Sequence, residues 1–147
     1  MEKAIQTRYR VYCLTTHPSN ILMWSHYANS HRRICLEFSC QNVTFSGVLK
    51  VSYYDAYPAP TLASDEDNDN IQPQITRGKA WDYEDEYRLI AQEKSGATAD
   101  DTLVTKNDLL KFPPDALTAV ILGCLVEPPV TKQVQQLLAR AFILQWH

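Results

Sequence analysis

The chain has 147 residues, 45% of them apolar, and a formal net charge of −3. That length suits one domain, 1–147, with a core that needs neither a disulfide framework nor a structural metal. The negative balance excludes a general pull on nucleic acid, and no apolar run approaches the ~20 residues that cross a bilayer. No signal peptide precedes the four scattered cysteines, so the expected compartment is the reducing cytoplasm.

In chain order, Tyr9–Leu14 is rich in aromatic and β-branched residues and predicts a strand. Thr15–Asn20 is turn chemistry, with Ser19 or Asn20 placed to cap a helix over Ile21–His31. Trp24, Tyr27, Ala28 and His31 fall on one stripe of that helix. Arg33–Phe38 alternates as a strand, with Ile34, Leu36 and Phe38 on one face. Val48–Tyr54 predicts another strand, and 55–74, rich in Pro, Asp, Asn and Ser, predicts a long loop. A strand is expected over Glu84–Ile90. The near-continuous apolar run Leu117–Val126 predicts a buried central strand that Pro128-Pro129 breaks. Thr131–Phe142 predicts an amphipathic helix, with Thr131 as its cap and Val134, Leu137, Leu138 and Ala141 on its buried stripe. The sum is an α+β fold, mainly antiparallel strands packed by two or three helices.

Several patterns invite a chemical reading. Asp65, Asp67 and Asp69 match alternate ligand positions of an EF-hand loop. Asn70 then stands where glycine is needed and Thr76 where the bidentate Glu is needed, so a solvated acidic loop is expected. Cys13, His17, His26 and His31 fit no zinc template, and no metal site is expected. Cys13, Cys35 and Cys124 lie in apolar runs and read as small buried hydrophobes. On the predicted strand Glu84, Glu86 and Arg88 share a face, which is either an exposed charged edge or the wall of a polar site; the exposed edge is the ordinary reading. Two neighbouring carboxylates raise each other's proton affinity, and an adjacent Arg opposes that. Trp24-Ser-His-Tyr27 reads either as a helix packing Trp and Tyr into the core, or as an aromatic floor with His26 or Tyr27 facing a ligand.

These last two clusters also carry a resemblance. Leu22-Met-Trp-Ser-His-Tyr-Ala-Asn-Ser-His-Arg-Arg-Ile-Cys-Leu-Glu-Phe38 resembles a hallmark of the bacterial family called domain of unknown function 2971. Cys13-Leu14-Thr15 stands where that family has a cysteine–aromatic–serine strand end. Trp81-Asp-Tyr-Glu-Asp-Glu-Tyr-Arg-Leu-Ile90 resembles its second hallmark, and Phe112-Pro113 with Val120–Cys124 resembles its closing segment. The match runs from about Arg10 to the end. Arg33 replaces the family's Gly, and Arg77 stands where it often has Lys. The family's front segment, with an early strand, has no counterpart here, which is the pattern of a shortened member.

The order of a strand ending in hydroxyls, a helix, a strand, and later a strand carrying Glu-x-Glu is also similar to ADP-ribosyltransferases. That resemblance implies an NAD or other nucleotide pocket and a transferase or NAD-glycohydrolase activity. It makes Glu86 the catalytic carboxylate and Glu84 the residue that orients the acceptor. Thr15 or Thr16 supplies the hydroxyl motif, and Tyr27 stacks on the ring, with Trp24, His26 and Arg88 as further nucleotide contacts. NAD enters as a substrate, not as a resident cofactor. The alternatives are a non-catalytic module that binds a protein or nucleotide partner, and a degenerate member whose motifs only fill the core.

Overall fold

The computed structural model describes residues 9–56, 72–93, 103–105 and 109–144. By its internal contacts the chain divides into two units interleaved in sequence, Met1–His17 with Phe38–Leu117, and Pro18–Glu37 with Thr118–His147.

The first unit is built around one strand. The aromatic and β-branched run near the front forms β1 (Tyr9–Thr15), antiparallel to β6 (Glu86–Glu93) in a register from Tyr9 opposite Gln92 to Thr15 opposite Glu86. On the other side of β6 lies β3 (Leu49–Lys50), antiparallel, with Leu49 opposite Arg88 and Lys50 opposite Tyr87. A short β7 (Val104–Thr105) runs parallel to the far end of β6. The predicted strand over Val48–Tyr54 is thus two pieces. Val51, 3% exposed, leaves the sheet between β3 and β4 (Ser52–Tyr54), and its N–H still donates to the Glu86 carbonyl. β4 pairs in parallel with β5 (Thr76–Gly78), setting Tyr53 opposite Arg77. The core under this sheet is Phe45, Leu89 and Ala116, with Leu14, Phe38, Val48, Leu103 and Leu110 packed against it. Phe38 stacks on Phe45 with centroids 4.3 Å apart, and Phe112 meets both rings edge-on. Such aromatic pairs add about 1 kcal/mol each beyond their buried area.

The second unit holds α1 (Ile21–Tyr27), α2 (Pro128–Leu144) and the two-stranded pairing of β2 (Ile34–Phe38) with β8 (Leu117–Leu122), apart from the terminal residues Phe38 and Leu117. Of the two expected caps, Asn20 takes the role, its side chain accepting from the N–H groups of Leu22 and Met23. The helix ends four residues earlier than its stripe predicts. Asn29, Ser30 and His31 all have left-handed φ, 47°, 52° and 67°, and close a turn that brings the His31 ring parallel to Trp24 at 6.3 Å. The stripe over Trp24, Tyr27 and His31 is therefore not one helix face. The run Leu117–Val126 does not make a buried central strand either. β8 stops at Leu122, which is 39% exposed, and has β2 as its partner. Gly123 follows it, where a Cβ would lie 2.2 Å from the His31 carbonyl oxygen and only glycine fits. Apolar continuity reports hydrophobicity and not how many strands flank a segment.

Pro128 and Pro129 open α2 instead of breaking the chain before it. A first-turn N–H has no intrahelical acceptor, so its loss there is harmless, and Thr131 falls inside the first turn rather than at the cap. Val134 and Leu138 are half-buried as the stripe predicts, while Leu137 is exposed. The architecture is α+β, as the alternation of patterns predicts. Among the described residues no helix is long and apolar enough to cross a membrane. The acidic stretch Asp65–Asp69 lies outside the described residues.

Candidate functional site

The chemistry gathers where the end of β1 meets the start of β6. Glu84 does not belong to the predicted strand. It ends a 3₁₀ turn (Lys79–Glu84), and Asp85 then adopts the left-handed conformation, φ 40°, before β6 begins at Glu86. Glu84 and Glu86 nevertheless both point inward, each 2% exposed, with Asp85 outward between them, so the face expected to be shared by the two carboxylates is kept. The expected exposed edge is thus a buried charged cluster, because two guanidiniums meet the carboxylates there.

Arg77 Nη1 donates to Glu84 Oε2 and, at 2.8 Å, to Glu86 Oε2. Arg88 Nε donates to Glu86 Oε1 at 2.8 Å, Arg88 Nη2 to Glu86 Oε2 at 3.1 Å, and Arg88 Nη1 to the Gln74 carbonyl. The parallel pairing of β4 with β5 carries Arg77 to this place, and its guanidinium lies 4.4 Å from the centre of the Trp81 ring. Two negative and two positive groups balance, which is how charges survive in a site this dry. The Glu86 N–H donates to Tyr53 Oη at 2.8 Å. No buried side-chain nitrogen or oxygen among the described residues lacks a hydrogen-bond partner.

Burial pushes the Glu86 carboxyl up, but hydrogen bonds from Arg88, Cys13 and Arg77 overcome that and hold it at about 2. The same contacts act on their partners. Burial, followed by the hydrogen bond to Glu86, pushes the Cys13 thiol up to about 11. The hydrogen bond to Glu86 raises Arg88. Cys13 is therefore not the buried hydrophobe its apolar run suggests. The residue is exposed on β1, opposite Arg88, while its sulfur turns toward the carboxylate. Cys124 is likewise exposed, past the end of β8, and Cys35 is half-buried.

Outside the kink a second cluster forms on Asp85. Thr16 Oγ1 donates to Asp85 Oδ2 at 2.9 Å, Lys50 Nζ lies 2.8 Å from Oδ1, and His17 Nε2 lies 3.4 Å from Oδ2. The hydrogen bonds from Lys50 and Thr16 lower the Asp85 carboxyl. Thr15 ties the two clusters together, donating to the Glu84 carbonyl at 2.7 Å and accepting from the His17 N–H.

Thr15, Thr16, Glu84, Glu86 and Arg88, from the sequence-predicted set, come together here. Trp24, His26 and Tyr27 belong to the second unit. Trp24 is half-buried, and its Nε1 donates to the Pro18 carbonyl at 2.6 Å. Tyr27 is 60% exposed, with the His26 ring edge-on to it, so the expectation that this Tyr packs into a core does not hold. Arg33 presents an exposed side chain, while its backbone N–H donates to the Ala28 carbonyl and its carbonyl accepts from Gly123. Sequence reasoning missed Arg77 as a partner of both carboxylates, and Tyr53, Gln74 and Asp85 altogether. The only signal was the resemblance that aligned Arg77 with a basic position.

Among the described residues no group of three His, Cys, Asp or Glu side chains is arranged to hold a metal ion. No protein-family model, curated protein or solved structure matches the chain.

Proposed function

We propose that the chain binds a nucleotide at the β1–β6 corner and acts as a transferase-like, NAD-cleaving domain with Glu86 as its working carboxylate. One observation carries the reading. The strand-end hydroxyls and the Glu-x-Glu segment, distant in sequence, form a single corner, with Thr15 opposite Glu86 and bonded to the Glu84 carbonyl.

The chemistry assigns Glu86 a specific role. Nicotinamide departs from an oxocarbenium-like centre, and a fixed negative charge beside the ribose lowers the energy of that state. A carboxyl held at about 2 is always ionised at neutral pH. It is a poor proton acceptor, since a general base works best with a pKa near the operating pH. Glu86 therefore acts as an electrostatic stabiliser. Arg88 orients it, Glu84 orients the acceptor, and Thr15 and Thr16 line the same corner.

A second reading, a non-catalytic binding module for a protein or nucleotide, has its own support. Both oxygens of Glu86 already accept hydrogen bonds, and the residue is 2% exposed. Nicotinamide release from NAD separates the two. Release by the wild type that falls at least a hundredfold in Glu86→Gln supports the enzyme. No release from the wild type, together with no thermal shift on adding NAD, leaves the binding module.

A further inference from the structure

We draw no further inference here: the strongest candidate, the side-chain cluster at the end of α1 in which Ser25 Oγ lies 3.3 Å from His31 Nε2, carries no nucleophile–base assignment, because the Ser25 hydroxyl donates to the Ile21 carbonyl one turn back and nothing among the described residues shows what would bind beside it.

Discussion

The inward cluster on Glu86 and the outward cluster on Asp85 are built from neighbouring residues of one turn, yet they are different electrostatic objects. Glu86 is 2% exposed, bonded by two arginines and a thiol, and drawn down to about 2 against the pull of burial. Asp85 keeps 26% of its side chain in solvent and meets Lys50 and His17, both more than half exposed. In the dry cluster each charge is indispensable to its partners, because a lone buried charge is far costlier than a lone buried hydroxyl. In the wet cluster water replaces any partner that is removed, and salt screens the rest. What separates the two is which side of the chain each carboxylate takes: Glu86 meets the guanidiniums of Arg77 and Arg88, and Asp85 meets Thr16, Lys50 and His17.

The largest expected effect breaks the inner cluster. Glu86→Ala strands Arg77 and Arg88 beside a neutral side chain, and denaturant unfolding should show a loss of about 3–5 kcal/mol, as for other buried pairs deprived of one partner. A loss below about 1 kcal/mol would mean that the cluster is solvated like the outer one.

Acid gives a graded version of the same break. The folded Glu86 carboxyl lies below its ordinary value of 4.5, at about 2. The sign follows directly: above about pH 4.5 its contribution is fully present, and it is lost as pH falls through about 2. Urea midpoints measured from pH 6 to pH 2 should drop for the wild type across that window. The drop should be shallower in Glu86→Gln, which has nothing to titrate there, and identical curves would remove Glu86 from the acid response.

The smallest effect belongs to the outer cluster. Asp85→Asn keeps a residue that tolerates the left-handed region while removing the charge. The melting temperature should fall by no more than about 3 °C in low salt, as expected for an exposed pair, and the difference should vanish at about 0.5 M salt. A large, salt-independent fall would place Asp85 on the same footing as Glu86.

Much of the local structure was legible in the sequence. The aromatic run of β1, the Asn20 cap and the alternation of β2 depend on period and on capping chemistry, which act over a few residues. The mixed class of the fold followed from the same signals. The kink at Asp85 was not legible, because no glycine marks it and a Glu-Asp-Glu-Tyr-Arg stretch alternates well enough to pass for strand. The early end of α1 escaped for the same reason, since Asn29, Ser30 and His31 take left-handed φ without a glycine among them.

The sequence by itself determined two groups of side chains at the candidate site, because Thr15-Thr16 lies at the end of one predicted strand and Glu84–Arg88 at the start of another. Tertiary structure alone decided what those groups became. The β1–β6 register set Thr15 opposite Glu86, and the β4–β5 pairing delivered Arg77 between two carboxylates. The physical reason is that a carboxylate's charge state and reach depend on burial and on partners far away in the chain. Those quantities exist only once the strands have paired.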